Sequence, residues 1–104
     1  MTTIREVQRR LDEIAARTLI SEELLVLVAF RDDDGQTESV QTLLDNIADE
    51  AGETLTEGRV SEALLVLRKL ALVELADWQV KPRRRWVRTE YGDRVAAVIA
   101  RAAS

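Results

Sequence analysis

Apolar residues recur every three or four positions along most of the chain, which is the spacing of one face of an α-helix. Over residues 3–18 they form one stripe with charged residues opposite, and Thr2 or Thr3 stands at the N-cap position. A second segment, residues 24–30, is apolar at every position, which is compatible with a buried strand or a buried helix. Because Ser21 and two glutamates precede it, as at a helix N-terminus, we predict a central helix capped by Ser21.

Two more helices are predicted in the middle of the chain. The first covers residues 38–51 and ends at Gly52, since glycine is common just past a helix C-terminus. It follows a loop over residues 31–37, whose three consecutive aspartates and glycine are unfavourable inside a helix or a strand. The second helix covers residues 57–70, with Thr56 as its N-cap.

Near Leu72 the apolar spacing changes from helical to alternating, which is the pattern of a half-buried strand. Residues 72–78 and 85–89 predict two short strands. The segment between them contains Pro82 and most of a basic cluster, which suits the tip of a hairpin. Helical spacing then returns over residues 90–102.

Helices followed by a hairpin and a final helix are the element order of a winged helix-turn-helix. We therefore predict one mainly α domain over residues 1–104, with a small β-hairpin and an extra N-terminal helix. The winged-helix core covers residues 21–95, and residues 72–89 form the wing. Trp78 and Trp86 lie on the two predicted strands, where we expect them to pack against the core or across the hairpin.

The composition excludes several classes of function. The chain contains neither cysteine nor histidine, which excludes disulfides, thiol catalysis, zinc fingers and histidine acid–base chemistry. Residues 32–35, three aspartates and a glycine, do not continue into the spacing of a calcium-binding EF-hand loop. No nucleophile–base pair, phosphate-binding loop or spaced carboxylate pair is recognisable, so we predict a non-enzyme without a metal or cofactor. No signal peptide or membrane-spanning apolar run is recognisable either, so we predict a cytoplasmic protein.

Charge is distributed unevenly along the chain, although the net charge is only −4. Residues 31–58 contain nine acidic residues and one arginine, whereas residues 81–104 contain seven basic residues and two acidic ones. The basic residues concentrate in the predicted hairpin. A basic surface of this kind is typical of nucleic-acid binding.

Two stretches of the sequence resemble a known family. Residues 55–64, Leu-Thr-Glu-Gly-Arg-Val-Ser-Glu-Ala-Leu, together with Leu67 and residues 72–74, resemble the recognition-helix segment of PadR-type regulators. Residues 83–92, Arg-Arg-Arg-Trp-Val-Arg-Thr-Glu-Tyr-Gly, are similar to the end of their wing. The resemblance covers residues 21–95 and implies a winged-helix, DNA-binding transcriptional regulator. MarR-like, phage and archaeal winged-helix proteins share the same order of elements.

The sequence departs from the PadR pattern at several positions. The family usually has glycine where Ala71 stands and a bulky aromatic residue where Ser61 stands. It usually has basic residues where Leu65 and Val66 stand. Many members also end in a long dimerising C-terminal helix, whereas this chain has an additional predicted helix at its N-terminus.

In a helix-turn-helix, the N-terminal residues of the second helix contact base edges in the major groove of DNA. The candidate base or phosphate contacts are therefore Thr56, Arg59, Ser61 and Glu62. The candidate contacts of the wing with phosphates or the minor groove are Lys81, Arg83, Arg84 and Arg85. We accordingly predict double-stranded DNA as the partner. The alternative for the wing is ion pairing with the aspartates of residues 32–34.

A protein partner is the alternative to DNA. Acidic residues flank Arg59 in the sequence, and close approach of carboxylates to phosphates is repulsive. Leu65 projects away from the apolar stripe of its helix, so it either packs under the wing or forms an exposed apolar contact. The alternative prediction is a winged-helix protein–protein interaction module that uses the acidic face of residues 38–65.

The N-terminal helix supplies the predicted contacts of a homodimer. Its apolar stripe, called here the α1 stripe, contains Ile4, Val7, Leu11 and Ile14. Such a stripe either pairs with its copy in a second chain or packs on the core of its own domain. A symmetric dimer would present two wings to a palindromic DNA site.

Overall fold

The computed structural model describes residues 3–30, 38–76 and 85–103, in which five helices and one two-stranded sheet are present. The helices are α1 (Ile4–Thr18), α2 (Ser21–Ala29), α3 (Val40–Ala51), α4 (Glu57–Lys69) and α5 (Glu90–Ala103), and the strands are β1 (Val73–Leu75) and β2 (Trp86–Arg88). The predicted mainly α fold with a small hairpin is confirmed. Residues 31–37, predicted to form a loop, and residues 77–84 lie outside the described residues; the latter range includes Trp78, Lys81, Arg83 and Arg84.

Helix α2 is the centre of the core, as its uninterrupted apolar sequence predicts. It packs against α3, α4 and α5, and its Val26 and Leu27 are completely buried. The largest fully buried side chains are Val26, Leu27, Leu43, Ile47, Val60, Leu64, Leu67, Leu72, Val73 and Val95. These residues come from α2, α3, α4, the start of the hairpin and α5, so a single apolar core joins all of these elements.

The helix N-termini confirm two predicted caps and correct a third. The hydroxyl oxygens of Thr3 and Thr56 each accept a hydrogen bond, at 3.2 Å, from the backbone N–H three residues later. Ser21, predicted as the N-cap of α2, is instead the first residue of that helix. A carboxylate oxygen of Glu23 accepts a hydrogen bond from the Ile20 N–H at 3.1 Å. The N-cap of α2 is therefore Ile20, whose own N–H is paired with a side chain inside the helix, and no hydroxyl caps α2.

Helix α3 begins two residues later than predicted, because Glu38 belongs to the sheet. The Glu38 N–H donates to the Trp86 carbonyl at 2.7 Å, and the Trp86 N–H donates to the Glu38 carbonyl at 2.8 Å. Ser39 then caps α3, with its hydroxyl oxygen accepting a hydrogen bond from the Thr42 N–H at 3.2 Å. At the base of the hairpin, β2 therefore lies between two backbone segments. β1 pairs with one edge of β2, and Glu38 pairs with the other.

Strands β1 and β2 are antiparallel and, at three residues each, shorter than predicted. Their register places Val73 opposite Arg88 and Leu75 opposite Trp86. Val73 and Trp86 are buried, so one face of the hairpin base packs on the helical core. The packing role predicted for Trp86 is confirmed.

Helix α1 packs on α5 through a face other than the α1 stripe. An ion pair joins Asp12 Oδ2 to Arg94 Nε at 3.3 Å, and the Asp12 side chain is almost completely buried. Large exposed apolar side chains on α1 are Ile4, Val7, Leu11 and Ile14. Within the described residues, the α1 stripe therefore does not pack on the core of its own chain.

Candidate nucleic-acid interface

The N-cap and the first two turns of α4 contain the residues that the sequence assigns to base contacts. Thr56 Oγ1 accepts the hydrogen bond from the Arg59 N–H, so this oxygen closes the helix N-terminus, and the hydroxyl hydrogen can still be donated outward. Glu62 is exposed, whereas Ser61 is half-buried. The four predicted residues therefore lie together at one end of α4, with Ser61 the least accessible of them.

Arg59 forms an ion pair that links α4 to α2. Its side chain is 62% exposed, and its Nη1 atom lies 2.8 Å from Oε1 of Glu22 in the first turn of α2. Glu22 is not among the site residues predicted from the sequence. Since 37 positions separate Glu22 from Arg59, no periodicity or motif in the sequence relates the two side chains.

The outward face of α4 is mixed in character. Leu65 is 49% exposed and Val66 is 38% exposed, so within the described residues Leu65 is not part of the core. Apolar groups on a base-reading helix serve mainly to contact thymine methyl groups. Two exposed apolar neighbours also fit a contact with another protein. The chemistry of this half of α4 is therefore compatible with either kind of partner.

Several acidic side chains are exposed on α3 and α4, the two helices of the helix-turn-helix. Exposed carboxylates on α3, on the turn after it and on α4 belong to Asp45, Asp49, Glu50, Glu53, Glu57 and Glu62. Glu38, which the sequence also assigns to this acidic face, is buried, and its backbone pairs with Trp86. Within residues 3–30, 38–76 and 85–103, no three carboxylates come close enough to hold a metal ion.

The base of the hairpin contains one of the four predicted wing cations. Arg85 is exposed beside the start of β2, and its carbonyl oxygen accepts a hydrogen bond from the Ala76 N–H at 2.9 Å. Lys81, Arg83 and Arg84 lie outside the described residues. Arg85 therefore marks the place where the basic segment joins the sheet.

Arg88 is a structural cation, although the sequence pattern indicates it only as part of the basic cluster. Its side chain is 7% exposed, and its Nε atom lies 2.9 Å from Asp93 Oδ1 on α5. Its Nη1 atom donates to the carbonyl oxygen of Leu27 near the end of α2, at 3.1 Å. The alternating pattern of the strand could have revealed this role, because Arg88 lies two residues from Trp86 and therefore shares its face.

The segment between β2 and α5 is fixed to the start of the hairpin through Thr89. Its hydroxyl donates to the Ala71 carbonyl at 2.7 Å and accepts a hydrogen bond from the Gly92 N–H at 2.9 Å. The Thr89 N–H also donates to the Leu72 carbonyl at 3.1 Å. The Thr-Glu-Tyr-Gly sequence thus has a structural reason, since it caps α5 and holds the hairpin base against it.

The α1 stripe borders an apolar groove of about 810 Å³. The other side of the groove is lined by Leu70 and Leu72, which follow α4, and by Tyr91 in the first turn of α5. Ile4 is 87% exposed at its edge. None of the described helices, α1 included, is long and apolar enough to cross a membrane. The groove and the stripe together form an apolar surface that includes residues of α1, α5 and the segment after α4.

Comparison with known proteins identifies the fold. No protein-family model matches the sequence, and no curated protein matches it. Among solved structures, the chain is similar to the crystal structure of the transcriptional regulator SlyA, with a TM-score of 0.61 and 22% sequence identity. The match covers 96% of this chain and 69% of that chain. The described helices and hairpin therefore form a winged-helix fold of the kind present in that structure.

Proposed function

We propose that the chain is a cytoplasmic, DNA-binding transcriptional regulator in which α4 is the recognition helix and the hairpin is the wing. The observation that carries this proposal is the accessible first turn of α4, where the Arg59 side chain is exposed on a winged-helix scaffold. The major groove of B-DNA, about 12 Å wide, admits one α-helix. Similarity to a solved transcriptional regulator supports the same function. The resemblance to PadR-type regulators also supports it and stays a prediction.

Each predicted residue of α4 has a chemical role in this proposal. Arg59 donates two parallel hydrogen bonds to O6 and N7 of a guanine, a contact that discriminates between bases by about 1–3 kcal/mol. Glu62 accepts a hydrogen bond from the amino group of a cytosine. The hydroxyls of Thr56 and Ser61 contact a base edge or a phosphate.

The wing supplies affinity that does not depend on sequence. Lys81, Arg83, Arg84 and Arg85 contact phosphates, and each neutralised phosphate releases counterions. Four such contacts give a slope of about −3 to −4 when the logarithm of the binding constant is plotted against the logarithm of the salt concentration. The wing also offsets the repulsion between phosphates and the acidic side chains near Arg59.

Replacing Arg83, Arg84 and Arg85 with alanine tests the DNA-binding proposal. We expect weaker binding to every duplex and a salt slope that is less steep by about 3, measured by titration at several salt concentrations. Replacing Arg9, Arg10 and Arg17, which are exposed on α1, removes the same charge elsewhere and should change the slope much less. Equal affinities of the wing variant and the wild type would contradict the proposal.

We also propose that the α1 stripe joins two copies of the chain. The stripe is continuous and exposed, and it borders the apolar groove formed with Leu70 and Tyr91. An isologous contact of α1 with its own copy removes this apolar surface from water, which is favourable. A dimer of this kind places two recognition helices and two wings on a symmetric DNA site.

A second candidate function is protein–protein interaction through the outward face of α4. The observation that favours it is the exposure of Leu65 and Val66 among the acidic side chains of the face formed by residues 38–65. A partner for this face would present apolar and basic groups. If this candidate is correct, selection from a random pool of duplexes at physiological salt should enrich no sequence. Leu65→Glu should then disrupt a protein complex without unfolding the monomer.

A further inference from the structure

The ion pair between Glu22 and Arg59 brings the N-terminal turns of α2 and α4 together. Glu22 lies in the first turn of α2, where the positive end of the helix dipole stabilises a carboxylate. Arg59 reaches it from the first turn of α4, with 2.8 Å between Nη1 and Oε1. The α4 residue assigned to base recognition is thus held by a side chain of a different helix.

The contact with Glu22 leaves the base-reading edge of Arg59 open. A guanidinium group has five N–H donors in a planar fork, and a guanine needs two of them on one edge. Glu22 accepts a hydrogen bond from Nη1, whereas no described residue accepts one from Nε or Nη2. The Nε–Nη2 edge of the exposed guanidinium is therefore available for O6 and N7 of a guanine.

Holding the guanidinium before binding lowers the entropic cost of the contact. An arginine side chain has many rotamers in water, and ordering them at an interface opposes binding. In the free protein, the Glu22 carboxylate restricts the Arg59 rotamers to the geometry of the ion pair. The entropic cost of binding is therefore lower for a base contact made in that geometry. The carboxylate itself repels phosphates, so it favours the base contact without increasing general affinity for DNA.

We infer that Glu22 is a positioning residue that sets the preference of Arg59 for a guanine in the major groove. The inference rests on the proposed function, since it assigns the specificity of the same DNA site. It differs from an inhibitory role, in which Glu22 would occupy Arg59 and weaken its contact with every duplex.

The test compares variants of the full chain on two duplexes. Selection from a random pool with the wild type gives the first duplex, and replacing the guanine that depends on Arg59 with adenine gives the second. We expect the wild type to prefer the guanine duplex about tenfold or more, since a bidentate contact discriminates to this extent. Glu22→Ala should reduce this preference by up to about fivefold, the range that an exposed ion pair can supply, while affinity for the adenine duplex does not fall. Glu22→Gln should retain much of it, because the amide oxygen still accepts from Nη1.

Two further variants serve as controls. Glu57→Ala removes the same charge from the first turn of α4 without removing an ion pair of Arg59, and should keep the guanine preference. Arg59→Ala should lose the preference whatever stands at position 22, since alanine has no hydrogen-bond donor for the guanine. Circular dichroism and thermal unfolding check that Glu22→Ala remains folded.

The outcomes separate the inference from the proposed function. A wild type that enriches no duplex contradicts both. A wild type that selects a guanine through Arg59, with the preference unchanged in Glu22→Ala, contradicts only the positioning role. Tighter binding of Glu22→Ala to both duplexes by the same factor also contradicts the positioning role. Glu22 would then only occupy Arg59 and weaken its contact with every duplex.

Discussion

Gly92, in the first turn of α5, lies directly against the carbonyl group of Leu72 at the start of the hairpin. A Cβ atom on Gly92 would overlap the Leu72 carbonyl oxygen and lie 2.9 Å from its carbonyl carbon. The same oxygen accepts the hydrogen bond from the Thr89 N–H. The hairpin base and α5 are thus in backbone contact at a place where no side chain larger than hydrogen fits.

We expect Gly92→Ala to lower the free energy of unfolding by about 1–3 kcal/mol, the usual cost of forcing an extra methyl group into a packed site. The neighbour is backbone and cannot rotate away. Gly58→Ala is the matched control, because the nearest atom to its Cβ would be Thr56 Oγ1 at 3.9 Å. That variant should be neutral or more stable by up to about 1 kcal/mol, since alanine is the better helix former. Urea unfolding measures both, and equal effects would contradict the close contact.

Ala71 has a left-handed backbone conformation, with φ of 62°. This conformation costs an L-residue about 1–2 kcal/mol, whereas glycine adopts it freely but loses more backbone entropy on folding. We therefore expect Ala71→Gly to stabilise the chain by up to about 1 kcal/mol. Ala48→Gly, at an exposed position within α3, should instead destabilise it by about 1 kcal/mol. If both variants lose stability in urea unfolding, the strain at Ala71 is absent.

Arg88 connects the second strand of the hairpin with α2 and α5. Arg88→Ala leaves the Leu27 carbonyl without the donor that it has in the wild type, and we expect a loss of about 2–3 kcal/mol in the free energy of unfolding. Asp93→Asn removes only the charge of the exposed partner of the same arginine, keeps an acceptor oxygen, and should cost less than about 1 kcal/mol. Thermal or urea unfolding compares the two. A loss in Arg88→Ala no larger than that in Asp93→Asn would contradict the structural role of the bond to α2.

Leu11 and Leu65 are exposed to similar extents on different helices, which makes them a matched pair for testing the dimer. We expect Leu11→Glu to convert a dimer into a monomer, because two carboxylates would face each other across the symmetric contact of α1. Leu65→Glu should leave the dimer intact. Analytical ultracentrifugation measures the oligomeric state. A monomeric wild type, or a dimer disrupted only by Leu65→Glu, would contradict the role of the α1 stripe.

Much of the fold could be predicted from local patterns in the sequence. The apolar run of residues 24–30 predicted the buried central helix, and the change to alternation at Leu72 predicted the hairpin. Thr3, Thr56 and Gly52 marked helix ends correctly, because caps depend on interactions within one turn. These features share one property, which is that each depends on residues close together in the chain.

The features that sequence reasoning missed depend on distant residues. The bridge from Glu38 to Trp86 delays the start of α3, and no pattern within residues 38–51 reveals it. The burial of Arg88 depends on the Leu27 carbonyl, and the orientation of Arg59 depends on Glu22. The candidate site was therefore predictable as a set of residues on α4, whereas the partner that holds its arginine was not.

The end of α2 receives hydrogen bonds from two parts of the chain that lie far from it in sequence. The Asn46 side chain donates to the Ala29 carbonyl at 2.9 Å, and Arg88 donates to the Leu27 carbonyl. These carbonyls have no partner within their own helix, because a helix leaves its last four carbonyls unpaired. The last turn of α2 consequently gains these two partners only when α3 and the hairpin have docked, which makes local opening of either segment unfavourable. The central helix, α3 and the hairpin base should therefore exchange their most protected amide hydrogens as one cooperative unit.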